Sequence, residues 1–272
     1  MSSDDEFFLN GSDLFQEPEE FLPKQLPFHF ANYKRINPPK NQPSDLNLRL
    51  IGSSPLWGHL LWNAGIFTAN FLDNPSNEHL IQNKNILELG AASALPSLIC
   101  SYHNPKKIVI TDYPDFDLME NIKFNVKNLI QDNQNNKDNK DNKDNQNILV
   151  KGYIWGNDTI DLLNFINKDN KQTEKFHLII LSDLVFNHTE HHKLLKTCRQ
   201  LLSKDGKCLV VFTPHRPKLI DKDLNFFELS KSYDFISQKI DLVTWKPMFE
   251  EEEETIEIRS RVYSYYLLPN WS

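Results

Sequence analysis

The residues best placed to do chemistry are Gly90-Ala91-Ala92-Ser93-Ala94, which follow the apolar run Asn85-Ile86-Leu87-Glu88-Leu89, and Asp112, which ends a second apolar run, Lys107-Ile108-Val109-Ile110-Thr111. A strand, a small-residue turn, a helix and then a strand closing on a carboxylate is the layout of a nucleotide-cofactor site in an open α/β sheet. The turn also says which cofactors fit poorly. A dinucleotide needs further glycines so that the backbone can approach a pyrophosphate, and here alanine and serine follow Gly90. No Gly-Lys-Ser/Thr pattern is present for a nucleoside triphosphate. The small side chains still let a slim group pass over the strand end, and Asp112 is placed to accept hydrogen bonds from two ribose hydroxyls. A nucleoside cofactor without phosphates meets these terms, and S-adenosylmethionine is the common one. The plainer reading is a strand-turn-helix unit with a strand-end aspartate as a cap.

Other residues sit where such a site would need them. Trp155, in Tyr153-Ile154-Trp155-Gly156, follows a strand; its indole either lies against an adenine or belongs to the core or its rim. Asp183, in Ser182-Asp183-Leu184-Val185-Phe186, is the best carboxylate for aligning an acceptor amine. His215 and Arg216 follow the strand that ends at Thr213, so they reach the same rim, either to contact substrate or to cap the loop. No strong general base stands out. That matters for amine methylation, because the acceptor must be neutral. A protein α-amine ionises near pH 7.7–8.0 and lysine near 10.4, so deprotonating lysine costs roughly 3.4 kcal/mol more. The spacing His188, His191, His192 invites a metal site, but Asn187 and Glu190 make a capping-box-like helix start the better reading, and no metal is expected. The run of glutamates at 250–254 is either a solvated loop or an attractor for a lysine-rich substrate terminus at the mouth of the site.

The elements that must position these residues alternate regularly. The patterning predicts a strand at 46–51 and a helix from about 55 to 72. It then predicts strands at 85–89, 107–112, 148–154, 177–182 and 207–213, with helices at 94–102, 115–130, 159–166 and 188–202. Such repetition implies a parallel sheet with right-handed crossovers and helices on both faces. Two further strand-like runs, 235–243 and 256–268, predict an antiparallel end to the sheet. Residues 1–45 are rich in proline and acidic side chains and are expected to form a partly disordered arm, with Phe28 to Tyr33 as an anchor. The catalytic domain is then 46–272. Residues 131–147 contain no apolar side chain and are expected to be a disordered surface insertion.

Composition narrows the class. The 272 residues suffice for one sizeable core, and a net charge of −7 argues against a nucleic-acid partner. No apolar run approaches the length of a membrane span, and the acidic N-terminus does not resemble a targeting peptide. Three cysteines without metal spacing suggest reduced, buried thiols. A cytoplasmic, monomeric enzyme is the expectation.

The segments Pro55 to Gly65, Leu87 to Pro96, Thr111 to Pro114 and Ser182 to His188 resemble the seven-β-strand protein methyltransferases, whose fold is Rossmann-like. The resemblance extends to Phe212 through Pro217 and Trp245 through Phe249, and covers most of the chain from residue 46 onward, apart from the polar insertion. It is strongest to the fungal enzymes that methylate the N-terminal glycine and adjacent lysine of translation elongation factor 1-alpha. It implies S-adenosylmethionine as cofactor and that factor as the protein partner. It also implies a cofactor pocket of Trp57 or Trp62, Glu88, Gly90, Ala91, Ala92, Asp112, Tyr113, Trp155 and Ser182. Asp183, Phe186, His215 and Arg216 fall on the substrate side. Related enzymes often carry tyrosine where this chain has Phe186, which removes a hydroxyl and weakens a purely lysine-specific reading. An older family name leaves open a small amine such as nicotinamide as acceptor. A non-catalytic binding module on the same fold is the alternative from another class.

Overall fold

The computed structural model describes residues 28–52, 57–135, 147–168, 173–248 and 253–271. It opens on two antiparallel strands, β1 (His29–Lys34) and β2 (Asp45–Leu50), paired so that His29 faces Leu50. Helix α1 (Asn63–Asp73) leads to β3 (Asn85–Leu89), α2 (Leu95–Cys100), β4 (Lys107–Asp112), α3 (Phe116–Asn135) and β5 (Ile148–Gly152). There follow α4 (Ile160–Asn167), β6 (Phe176–Ser182), α5 (His191–Leu201), β7 (Leu202–Phe212), α6 (Ile220–Ser230), β8 (Phe235–Thr244), α7 (Glu253–Arg259) and β9 (Arg261–Pro269). The main sheet has seven strands in the order β5-β4-β3-β6-β7-β9-β8. The first five are parallel, and β9 runs antiparallel to both β7 and β8. The expected mostly parallel α/β sheet with an antiparallel end is therefore what forms.

Side-chain alternation along the strands divides the interior in two. Ile86, Ile108, Ile110, Leu178, Ile180, Leu209 and Val211 point to one face, where they meet residues of α1, α2 and α3. Leu87, Leu89, Val109, Ile179, Leu181 and Val210 point to the other, against α4, α5 and α6. All five residues of β3 are buried, as a central strand covered on both faces requires. After β3 the chain builds outward through β4 and β5, then returns to place β6 on the other side of β3. The crevice beyond the carboxyl ends of β3 and β6 is thus the point where the winding direction switches, the favoured ligand position in such sheets.

The β1–β2 pair spans the boundary drawn at residue 45 and is tied to the body through α1. Tyr33 donates its hydroxyl proton to Asn70 Oδ1 at 2.7 Å. The buried Arg35 grips Asp73 through Nη2 and Nε at 2.6 and 2.9 Å, and its guanidinium lies over the Tyr102 ring. Burial works against ionisation of Asp73, but hydrogen bonds from His103 and Arg35 outweigh it and hold its carboxyl down at about 2.

Three elements differ from the sequence pattern. Residues 57–62 are not helical, and α1 begins only at Asn63. Trp57 has φ 64°, and a Cβ on Gly58 would stand 2.4 Å from Leu118 Cδ2, so this strap passes close against α3 at Gly58. Residues 256–259 belong to α7 rather than to a strand. Ile256 and Ile258 mimic a strand period, but the backbone N and Oγ of Ser260 both bond the Ile256 carbonyl and close a helical turn. Helix α6 was not anticipated; it buries Phe226 and Phe227. Of the polar insertion, residues 131–135 continue α3, and 136–146 lie outside the described residues.

Candidate active site

The turn after β3 is built from backbone in the left-handed region. Gly90, Ala92 and Ala94 have φ of 64°, 49° and 63°. Only Gly90 lacks a Cβ, and it has no room for one: a Cβ there would lie 2.5 Å from Leu184 Cδ2 and 3.4 Å from Trp155 Cζ2. Neighbouring strands hold the turn in place. Ala91 N donates to the Thr111 carbonyl at 3.0 Å. Asp112, at the end of β4, accepts from Ala92 N on Oδ2 and from Tyr113 N on Oδ1, both at 2.7 Å. Burial pushes the Asp112 carboxyl up to about 6, against the pull of those two hydrogen bonds. An ionised carboxylate offers about four acceptor positions, so two remain for a vicinal diol. Glu88 is a different kind of acid. It lies fully buried on the face covered by α2, where Oε2 accepts from Ser97 N at 3.0 Å, and burial pushes it up to about 8. It props the first turn of α2 from beneath.

Trp155 and Leu184 therefore close on Gly90 from the ends of β5 and β6, while Tyr113 stands half-exposed beside Asp112. Ser182, the last residue of β6, lies with its Oγ 3.2 Å from Thr68 Oγ1 on α1. The next residue, Asp183, is buried with φ 60°, and its N donates to the Val211 carbonyl at 2.7 Å. That sharp turn aims its carboxylate at the loop after β7. There His215 Nε2 meets Asp183 Oδ2 at 2.8 Å, and Thr213 N donates to Oδ1 at 3.3 Å. Burial alone would lower the His215 pKa, but the charge and hydrogen bond of Asp183, helped by Asp223, raise it above the ordinary imidazole value.

Aromatic rings surround this pair. Trp62 meets His215 edge-on with centroids 4.8 Å apart, and Phe186 stands 6.1 Å away on a near-perpendicular plane. Arg216 Nη2 donates to the Phe186 carbonyl and joins the two loops. Trp62 is thus the strap tryptophan that faces the site. Trp57, half-exposed, meets the Trp62 and His59 rings and accepts from Trp62 Nε1 on its carbonyl at 2.9 Å. Beside His215 opens a narrow cleft lined by Asn63, Pro214, Pro247, Met248 and Arg259. Asn63 was missed in the sequence; it starts α1 and donates Nδ2 to the Lys246 carbonyl at 2.9 Å. The three neighbouring histidines go separate ways: His188 to Asp223, His191 to the Val185 carbonyl, His192 to Tyr233. The expected capping box does not form, because the Asn187 side chain accepts from Thr189 and α5 starts at His191 after a short 3-10 turn. The acidic run lies outside the described residues as far as 252, and α7 begins at Glu253.

The crevice therefore has two halves. One, of the Gly90 turn, Asp112, Tyr113 and Trp155, suits a phosphate-free nucleoside. The other, of Asp183, His215, Trp62 and Phe186, joins a carboxylate to aromatic faces, the surroundings that suit an amine. Residues 41–233 match the model of the lysine methyltransferase family. The chain belongs to that family. Relatives of this methyltransferase carry a more specific name. It is 55% identical to the protein N-terminal and lysine N-methyltransferase EFM7 of Debaryomyces hansenii, over 99% of this chain and all of that protein. It is 53% identical to the EFM7 of Candida albicans over 99% of each chain, and 38% identical to that of Schizosaccharomyces pombe over 94% of this chain and 95% of the relative. Among solved structures, SMU.776, a proposed methyltransferase solved in complex with SAH, superposes with a TM-score of 0.53 at 13% identity, covering 81% of this chain and 53% of that one. At that identity the likeness concerns the fold.

Proposed function

We propose that this methyltransferase uses S-adenosylmethionine to methylate the N-terminal α-amine and the adjacent lysine of a protein, translation elongation factor 1-alpha, in the cytoplasm. The observation that carries the amine reading is the Asp183 carboxylate set among the rings of Trp62, Phe186 and His215 at the switch point of the sheet. The names of the near full-length relatives support the α-amine and lysine acceptors. The choice of elongation factor follows from the sequence resemblance, and three buried free cysteines suit a reducing compartment.

S-adenosylmethionine, when bound, supplies an electrophilic methyl group on a sulfonium. The chain's own residues do the rest. The Gly90 turn, closed on by Leu184 and Trp155, would form the floor, Asp112 would accept from the ribose hydroxyls, and Trp155 would offer a face to the base. Asp183 acts on the acceptor side through His215, and the aromatic walls exclude water and favour a cationic group.

The deciding experiment compares the masses of N-terminal peptides of elongation factor 1-alpha with and without this protein. Added multiples of a methyl group on the terminal residue and its lysine support the proposal. An unmodified peptide in both samples refutes the substrate. Calorimetry with S-adenosylmethionine tests the cofactor separately: Asp112→Ala should abolish measurable binding, and equal affinity in both proteins would remove Asp112 from the pocket.

A further inference from the structure

We propose that His215, oriented by Asp183, accepts the proton that an α-ammonium acceptor must lose before it can be methylated. This rests on the amine-acceptor reading and supplies the base that the sequence alone did not reveal.

The geometry has the parts of an oriented base. His215 Nε2 donates to Asp183 Oδ2 at 2.8 Å, which fixes the tautomer and leaves the Nδ1 lone pair as the acceptor. Asp183 is itself held from three directions: by its left-handed backbone, by its N–H bond to Val211 and by Thr213 N on its other oxygen. Trp62 and Phe186 wall the ring, yet a quarter of the His215 side chain stays accessible, and it lines the cleft shared with Asn63 and Met248. An incoming ammonium would lie between aromatic faces and the imidazole edge.

Several charged groups set the affinity of His215 for a proton. Asp183 after β6 and Asp223 on α6 favour the imidazolium. Arg259 on α7 and burial oppose it. Asp223 is paired with His188 at 2.6 Å and also lies within the field of Arg216. The sum raises His215 above its usual value and makes it a stronger base than a free imidazole. An α-ammonium near 7.7–8.0 gives up its proton to such a base far more readily than a lysine near 10.4.

The step is simple to balance. An N–H bond of the ammonium breaks and its electron pair stays on the amine nitrogen. An H–Nδ1 bond forms on His215, and the Asp183 carboxylate neutralises the new imidazolium. The proton then leaves to water from the accessible edge of the ring.

The test uses His215→Gln, whose amide can keep the donor to Asp183 but cannot take a proton in this range. Wild type and variant are compared on a peptide beginning Gly-Lys between pH 6 and 9.5, with cofactor affinity measured by calorimetry. Because the neutral imidazole is the active form, wild-type kcat/KM should rise with pH and level off above the His215 pKa. The variant should lose at least about 100-fold at pH 7. That deficit should shrink above pH 8, where the α-amine is neutral without help, with cofactor affinity unchanged throughout. In the enzyme without ligands, the His215 ring signal followed by NMR should titrate above pH 6.5, and Asp183→Asn should lower it. Equal rates at every pH, or a deficit that stays constant with pH, would overturn the proposal while leaving the acceptor assignment standing. A wild-type enzyme that leaves the peptide unmethylated would overturn both.

Discussion

Replacing Gly90 with alanine probes the one position where fold and site make the same demand. Two costs are separable. A Cβ residue in the left-handed region costs about 1–2 kcal/mol. The new methyl would also stand 2.5 Å from Leu184 Cδ2, an overlap worth about 1–3 kcal/mol, toward the lower end because a leucine δ-methyl can swing aside. The contact with Trp155 at 3.4 Å is close but ordinary. The sum is about 2–4 kcal/mol. Urea unfolding should show it as a lower midpoint at unchanged slope. Calorimetry should show weaker S-adenosylmethionine binding, since a shift of Leu184 or of the turn disturbs the proposed cofactor half. Adding Leu184→Ala separates the costs: the double variant should be more stable than the sum of the singles predicts by about 1 kcal/mol or more, while the backbone cost remains. Ala92→Gly, at φ 49°, is the control and should not destabilise. A loss below about 0.5 kcal/mol with normal affinity would refute both parts of the reasoning, and strict additivity with Leu184→Ala would refute the close approach.

Glu88, with a folded value of about 8 against an ordinary 4.5, contributes stability that is fully present below pH 4.5 and is lost as pH rises through 8. Glu88→Gln should therefore flatten the pH dependence measured by denaturant unfolding, removing a fall of about 3 kcal/mol between pH 4.5 and 7. Asp112 also has a raised value, about 6, and must be ionised to serve a diol; calorimetry should show affinity for S-adenosylmethionine falling by up to about tenfold per unit below pH 6. Asp73 has the opposite sign. Its depressed carboxyl contributes stability above pH 3.8 that disappears as pH falls through about 2, and Asp73→Asn should cost about 3–5 kcal/mol at pH 7 by leaving the buried Arg35 without its counter-charge.

Much of the fold was legible because buried parallel strands leave an unmistakable pattern. The runs at β3, β4 and β6 are short, apolar and bounded by turns, and the small residues after Leu89 meet Asp112 at the next strand end, as their order implied. The acceptor half was legible only as separate residues. Asp183 and His215 lie 32 positions apart and meet because β6 and β7 pair in parallel, with Ser182 opposite Val211. No local pattern records that pairing, so the contact between Asp183 and His215 is evident in space and invisible in order. The strap at 57–62 was misjudged for the opposite reason: its leucines and tryptophans carry a helical spacing, but Gly58 against Leu118 makes tertiary contact decide. The same holds for α7, where two isoleucines at strand spacing lie in a helix closed by Ser260.

The strand order also has a consequence for how the molecule is made. During synthesis β4 emerges soon after β3 and can pair with one edge of it. The other edge must wait for β6, whose last residue, Ser182, comes 93 positions after Leu89. At roughly 5–20 residues per second, that is a delay of about 5–20 s. For that interval a central strand carrying Ile86, Leu87 and Leu89 presents an unpaired edge, the kind of surface that recruits other chains. The ribosome-bound chain is therefore most in need of protection by chaperones between the emergence of β4 and that of β6.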